Sequence, residues 1–208
     1  MDDVKVVEKA GRYIYENLPE GVSELQNLDF HSPYGCSKGA ADQYVQDYAR
    51  IYDMRTIVFR MSCMYGYRQF GNEDQGWVAH FIISSYLRRR LHIYGDGKQI
   101  RDILFIDDLV KAFQAALRNE DKAVGNVFNI GGGPSNTISL LELIQYLERY
   151  LKRKIEVDFR EWRPGDQRVY ISNIREAENT LNWTPRTPVK EGISKLISWV
   201  NENRNLIL

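Results

Sequence analysis

Tyr34 and Lys38 have the spacing in this chain that is most suggestive of catalysis. On a helix, residues four apart lie one turn apart on the same face. An ammonium group beside a phenol favours the phenolate, which can accept a proton from a hydroxyl while hydride leaves the same carbon. The same Tyr/Lys spacing occurs twice more, across a glycine turn and at a basic helix end. Only Tyr34 opens an amphipathic helix after a Ser-Pro pair, so this pair is the candidate for catalysis among the three.

Arginines beside glycine turns are candidate phosphate ligands. Arg101 follows the turn at residues 95–97, and Arg163 begins the segment Arg163-Pro-Gly-Asp166. Guanidinium groups match the geometry of diphosphate oxygens, although ordinary surface ion pairs are the alternative. A further polar and aromatic run, residues 60–69, follows a short β-branched strand, which is the usual position of a ligand crevice in an open α/β sheet.

Strands that alternate with helices predict an α/β fold. A helix from Lys38, with Asp53 closing it, precedes a strand at residues 56–60. Further on we predict helices at 77–90, 109–118 (N-capped by Asp107 or Asp108), 139–153 (with a Ser139/Glu142 capping box), 174–181 and 189–203, and strands at 91–94, 103–106, 127–130 and 155–159. Near the start of the chain, Val4, Val7 and Ala10 suggest a short helix.

Composition excludes several classes of protein. The chain has 208 residues, with 28 basic and 28 acidic side chains, so a nucleic-acid binder that works by bulk positive charge is disfavoured. No apolar run approaches the roughly 20 residues of a membrane span, and the first residues do not resemble a signal peptide. Two cysteines and three scattered histidines predict no metal site. We therefore expect a cytoplasmic protein that handles small molecules.

Together these segments resemble the extended short-chain dehydrogenase/reductases, specifically the nucleotide-sugar epimerases and dehydratases. Residues 32–42, Ser-Pro-Tyr-Gly-Cys-Ser-Lys-Gly-Ala-Ala-Asp, look like the family's catalytic Tyr/Lys segment, and residues 60–69 look like its Arg…Tyr-Gly-Pro-Arg-Gln loop. Residues 93–102, Asn129-Ile-Gly-Gly-Gly and 163–166 match further landmarks in the same order. Five ordered matches over residues 31–184 are far more specific than any one of them.

The resemblance implies the C-terminal part of a Rossmann-type parallel sheet with a smaller α/β substrate-binding domain. Residues 1–62 would hold the catalytic helix and a late Rossmann strand. Residues 63–208 would form mainly the substrate domain, with 103–132 returning to the Rossmann sheet. The implied cofactor is NAD, and the implied substrate is a nucleotide-diphosphate sugar, without nucleic-acid or membrane partners.

Two details point to a subgroup, the CDP-paratose 2-epimerases, and thus to a CDP-sugar substrate. Cys63 stands where the family usually has Asn, and residues 74–80 are typical of the subgroup. The reaction implied is epimerisation at C2 by transient oxidation to a ketone. Other reactions on this scaffold remain open, namely 4-epimerisation, 4,6-dehydration and decarboxylation, as does a non-catalytic nucleotide-sugar-binding role. The implied site residues are Tyr34 and Lys38 (catalytic and cofactor-binding), Arg60 (cofactor-binding), and Cys63, Gln75, Gly76, His80, Tyr94, Arg101, Arg163 and Asp166 (substrate-binding).

The chain departs from the family pattern at its start. The family begins with a Gly-x-x-Gly-x-x-Gly strand–turn–helix, and no such segment occurs here; the run 131–133 is better interpreted as a helix-entry turn. Ser23 is the only Ser or Thr before Ser32, and it lies in a Pro/Gly turn rather than at a strand end. We therefore expect a missing N-terminal half, weak or no NAD binding by this chain alone, no activity by itself, and either a homodimer or pairing with the missing half.

Overall fold

A computed structural model describes residues 4–207 of the chain. The helices of this range are α1 (Pro33–Tyr52), α2 (Trp77–Tyr86), α3 (Ile106–Arg118), α4 (Glu120–Ala123), α5 (Leu140–Leu151), α6 (Arg175–Leu181) and α7 (Val189–Glu202). The strands are β1 (Val6–Lys9), β2 (Arg12–Tyr15), β3 (Val58–Met61), β4 (Cys63–Tyr65), β5 (Leu91–Tyr94), β6 (Ile100–Phe105), β7 (Val127–Ile130), β8 (Thr137–Ser139), β9 (Val157–Arg160) and β10 (Val169–Tyr170). None of these helices is long and apolar enough to cross a membrane.

Most of the strand pairs are parallel, which confirms the predicted α/β class. Strand β3 pairs with β7, β5 pairs with β9, and β6 pairs with both β4 and β10, all in parallel. The antiparallel pairs are β6 with β8 and β1 with β2. Strands β3 and β4 are separated by Ser62 alone, yet they pair with different partners. The chain therefore passes from one sheet to another at this point.

Strand β6 separates two apolar cores. Successive side chains of a strand point to opposite faces, so Ile103 and Phe105 enter a large core beneath α2, α5 and α7, and Leu104 enters a second core beneath α3 and α6. All three side chains are almost fully buried. The end of β6 is thus held on both faces, and the polar residues around it are presented from a rigid support.

The N-terminal segment forms a hairpin and not the short helix expected from Val4, Val7 and Ala10. Strands β1 and β2 pair in antiparallel register around Ala10 and Gly11, whose φ angles of 52° and 78° are those of a two-residue type I′ turn. Tertiary contacts override the weak helical spacing. Tyr15 is buried, and its hydroxyl donates to the Val169 carbonyl at 2.8 Å.

Local signals predicted some helix ends and missed others. The Ser139/Glu142 capping box is confirmed at the start of α5. Helix α1, however, begins at Pro33 rather than Lys38, because Ser32 Oγ accepts a hydrogen bond from the Gly35 amide at 3.0 Å.

Neither Asp107 nor Asp108 caps α3, since the cap position belongs to Phe105. Asp108 lies instead in the first turn of the helix and is fully buried. Its Oδ2 accepts from the amides of Arg186 and Thr187 at 3.0 and 2.7 Å, and its Oδ1 accepts from Lys111 Nζ at 3.0 Å. The carboxylate therefore connects α3 to the segment that leads into α7.

Candidate active site

Tyr34 projects from the first turn of α1. The Ser32 cap and Pro33 start the helix just before it, so the phenol stands at the helix end and is 68% exposed. Lys38 follows one turn later and is also exposed. Gly39, the only buried residue of α1, allows the Phe30 ring to lie against the helix, because a Cβ there would overlap the ring. The segment before α1 is thereby packed beside the two candidate catalytic side chains.

Three adjoining clefts form a continuous groove in front of Tyr34. The first, of about 440 Å³, is lined by Tyr34, Ser62, Cys63, Met64, Gln69 and residues 74–78. The second, of about 500 Å³, lies between residues 29–35 and residues 163–167 and shares Tyr34 with the first. The third, of about 230 Å³, shares Arg163 and Asp166 with the second, and Asp74 and Trp77 with the first. We call these the near, middle and far clefts of the groove.

The cationic groups of the groove lie where the middle and far clefts meet. Arg101 Nη2 donates to Asp166 Oδ1 at 2.7 Å, and both side chains are largely buried. Arg163 Nη2 lies 3.2 Å from Asp74 Oδ1, and its guanidinium stacks over the Tyr94 ring, 3.9 Å from the ring centre. Guanidinium groups held in this way can donate hydrogen bonds to diphosphate oxygens.

Cys63 lies at the start of β4 and lines the near cleft. Burial raises the pKa of its thiol, so the group stays neutral at physiological pH. A neutral thiol is a small apolar contact with a weak donor rather than a nucleophile. Cys63 therefore contributes a neutral surface to this cleft, and Tyr34 is the candidate for proton transfer there.

The loop before α2 supplies another wall of the near cleft. Asn72 Oδ1 accepts from the amides of Asp74 and Gln75 at 2.9 Å each, which folds the loop back on itself. Gly76 adopts a φ of 69°, in the left-handed region that favours glycine, and a Cβ at this position would lie 3.0 Å from Gln69 Nε2. The predicted binding residues Gln75 and Gly76 thus reach the groove.

Three of the predicted site residues do not line the groove. Lys38 stands on the exposed face of α1, one turn beyond Tyr34. Arg60 makes two hydrogen bonds to Asp42, at 2.7 and 3.1 Å. His80 lies in α2 with its Nδ1 3.5 Å from Ser84 Oγ, and burial lowers its pKa. The roles assigned to these residues stay predictions.

Sequence reasoning overlooked several residues that the fold brings to the groove. Trp77 lines both the near and far clefts; it lies in the segment 74–80 that the resemblance places near the sugar, although it was not named among the site residues. Glu73 and Gln99 line the far cleft. No local signal marks either residue, because each reaches the groove only through tertiary contacts.

Comparison with known proteins places this geometry in a family. The model of the NAD dependent epimerase/dehydratase family matches residues 6–131. The chain belongs to this family. Its fold, with the Tyr34 groove beside a parallel sheet, agrees with the resemblance stated from the motifs.

Individual relatives agree with the family assignment. A CDP-paratose 2-epimerase of Salmonella typhi is 43% identical over 206 residues, which cover 97% of this chain and 61% of that protein. A UDP-glucuronate 4-epimerase of Thermodesulfobacterium geofontis is 32% identical over 85% of this chain and 52% of its own length. Among solved structures, a UDP-glucuronic acid 4-epimerase of Bacillus cereus, in complex with UDP-glucuronic acid and NAD, superposes with a TM-score of 0.80 at 27% identity, over 88% of this chain and 56% of the other. The chain thus spans about half to three fifths of the length of these relatives.

Proposed function

We propose that the chain provides the substrate-binding and proton-transfer part of an NAD-dependent epimerase that acts at C2 of a CDP-3,6-dideoxyhexose. The observation that carries this proposal is the groove itself. Tyr34 and Cys63 line its near cleft, and the same groove continues to the guanidinium groups of Arg101 and Arg163. The 43% identity to a CDP-paratose 2-epimerase favours C2 over the other positions of the sugar.

Different residues in and beside the groove bind the substrate and transfer the proton. Arg101 and Arg163 hold the diphosphate, which leaves the sugar in front of Tyr34. The Tyr34 phenolate accepts the proton of the C2 hydroxyl as that carbon is oxidised, and returns it when the ketone is reduced. The Lys38 ammonium stabilises the phenolate between the two steps. Bound NAD would supply the hydride acceptor for C2 and return the hydride to the other face of the ketone.

The residues present fit the catalytic end of an NAD site. Tyr34 lines the groove, and Lys38 is exposed one turn further along α1, so both side chains are open to a nicotinamide ribose. The glycine fingerprint that holds a pyrophosphate at a helix N-terminus does not occur in the sequence. Arg60, whose guanidinium is engaged by Asp42, would act on the cofactor only after leaving that pair.

A second candidate function is nucleotide-sugar binding without catalysis, in association with another protein chain. Helix α1 buries one residue and exposes Tyr44, Tyr48, Ile51 and Tyr52, each about half exposed or more. An apolar face of this size favours a partner surface. A second copy of the chain and a separate dinucleotide-binding half both fit it, and sedimentation of the pure chain separates a homodimer from a monomer.

Calorimetric titration tests the proposed function. CDP should bind the wild-type chain, and Arg163→Ala should abolish that binding, whereas Arg149→Ala, an exposed change on α5, should leave it intact. Absence of CDP and UDP binding by folded protein would contradict the proposal. NAD is titrated next. If it binds, NMR of a CDP-3,6-dideoxyhexose should show inversion at C2 with wild type and none with Tyr34→Phe, and a change at C4 would favour the alternative reactions.

A further inference from the structure

The far cleft is the place left for the nucleoside. A nucleotide sugar is linear, with the diphosphate between the sugar and the nucleoside. If the sugar faces Tyr34 and the diphosphate lies at Arg101 and Arg163, the nucleoside must extend beyond the arginines. The far cleft lies there, at about 230 Å³, with Trp77 and Tyr94 among its walls. This placement rests on the proposed function.

Gln99 lines the far cleft and holds an unpaired hydrogen-bond acceptor in a fixed orientation. Its side chain is only 3% exposed, and its Nε2 donates to the Tyr94 carbonyl at 2.7 Å. Because a carbonyl can only accept, this bond sets the orientation of the amide and leaves Oε1 as the free end. Oε1 is buried and has no hydrogen-bond partner among residues 4–207. A buried acceptor without a donor is unfavourable, so this atom is suited to a donor from a ligand.

Glu73 supplies a second acceptor at the edge of the same cleft. His92 Nδ1 lies 2.6 Å from its Oε1, and the Tyr94 hydroxyl donates to its Oε2 at 3.3 Å. The hydrogen bond with His92 lowers the pKa of the Glu73 carboxyl, so the group is ionised and can only accept. The two contacts fix the carboxylate on the wall of the cleft and leave lone pairs on both oxygens unused.

We propose that Glu73 and Gln99 select a nucleotide whose base carries an exocyclic amino group, cytosine rather than uracil. The two pyrimidines differ at C4, where cytosine has an amino donor and uracil has a carbonyl acceptor. The two N–H bonds of the amino group match the two acceptors of the cleft. A uracil carbonyl in the same position would face a carboxylate and an amide oxygen without a hydrogen between them. Such a mismatch discriminates strongly because it leaves buried polar groups unpaired.

Paired titrations with CDP and UDP test this inference. We expect wild type to bind CDP about tenfold or more tightly than UDP, since one good base contact is worth that much. Glu73→Gln should bring the two affinities to within about threefold, because a glutamine amide can rotate to donate to the uracil carbonyl. Gln99→Met removes the acceptor and keeps a side chain of similar volume. It should also reduce the preference for CDP over UDP. Glu191→Gln, at an exposed ion pair on α7, is the matched control and should change nothing.

Each outcome of the titrations has a definite meaning. Equal affinity of wild type for CDP and UDP overturns the inference but leaves the proposed nucleotide groove standing. A CDP preference that survives both Glu73→Gln and Gln99→Met also overturns it. Binding of neither nucleotide contradicts the proposed function, and the inference falls with it. A preference lost on either substitution and kept in the Glu191→Gln control supports the assignment.

Discussion

Arg60 on β3 and Asp42 on α1 form a two-pronged ion pair across 18 residues of sequence. Arg60 Nε and Nη2 donate to the two carboxylate oxygens of Asp42 at 2.7 and 3.1 Å. The side chains are 20% and 11% exposed, and a third nitrogen of the same guanidinium donates to the Glu24 carbonyl. The pair holds α1 against β3, so Arg60, which the sequence predicts to bind the cofactor, has a structural role here.

Loss of this pair should destabilise the fold. Asp42→Asn leaves a largely buried guanidinium without its counter-charge, and we expect a loss of about 2 kcal/mol in the free energy of unfolding. Urea unfolding followed by tryptophan fluorescence measures it. Arg55→Ala, which breaks an exposed pair with Glu120, is the control and should cost no more than about 0.5 kcal/mol. A loss no larger than in the control would contradict the structural role.

The same pair gives a stability that depends on pH. Burial opposes ionisation of Asp42, but the hydrogen bonds and charge of Arg60 outweigh it, and the pKa of the carboxyl is lowered in the folded protein. A lowered folded pKa contributes stability above the unfolded pKa of about 4, and this contribution disappears as the pH falls through the folded value. The difference in unfolding free energy between wild type and Asp42→Asn should therefore shrink on acidification. If the difference in unfolding free energy stays constant from pH 7 to pH 3, the lowered pKa of Asp42 is wrong.

Asp102 should have the opposite pH dependence. Its side chain is fully buried, and burial raises its pKa although Oδ2 accepts from the Gly133 amide at 3.1 Å. At pH values between the unfolded pKa of about 4 and the raised folded pKa, the Asp102 carboxyl binds its proton more tightly in the folded state. The contribution of this carboxyl to the free energy of unfolding therefore falls as the pH rises through that range. Asp102→Asn removes that dependence. The stability of the Asp102→Asn variant relative to wild type should increase from pH 4 to pH 7 in urea titrations. The absence of such a trend would refute the raised pKa of Asp102.

Arg101 should contribute to binding of the diphosphate and not of the nucleoside. Its guanidinium is held by Asp166 on the wall of the groove. Arg101→Ala should weaken the binding of CDP at least about tenfold, because charge-assisted hydrogen bonds to phosphate oxygens are lost. Cytidine, which has no phosphate, should bind the variant and wild type alike. Competition of CDP and of cytidine against a fluorescent nucleotide gives the ratio of variant to wild-type affinity for each ligand. An equal loss of affinity for cytidine would show that Arg101 does not act through the diphosphate.

Gly192 marks a close approach of α7 to β4. A Cβ at this position would lie 2.8 Å from Tyr65 Cζ and nearer still to its hydroxyl, and both residues are buried. Gly192→Ala should cost about 1–3 kcal/mol through overpacking. Gly35→Ala, in α1 with its nearest neighbour atom at 3.3 Å, gains helix propensity and should be close to neutral. Thermal unfolding of the two variants side by side tests the contrast, and equal melting temperatures would rule out the close approach.

The sequence by itself determined the features that depend on neighbouring residues. The Ser139/Glu142 capping box, the strand at 127–130 and the one-turn spacing of Tyr34 and Lys38 all follow from interactions within a few residues. Five motifs in a fixed order identified the family, because their combination is specific even where each is weak. These signals are local, so they hold wherever the rest of the chain lies.

Only the tertiary structure decided which side chains meet. The N-terminal hairpin replaced an expected helix because β2 gains contacts with β10. Arg60 met Asp42, and Glu73 and Gln99, 26 residues apart, met in the far cleft. Such contacts depend on how strands and loops cross in three dimensions, and hydrogen bonding at these separations leaves no periodic trace in the sequence. The amino-acid order therefore predicted candidate site residues such as Tyr34 and Arg163, and only the fold showed that they line one groove together with Glu73 and Gln99.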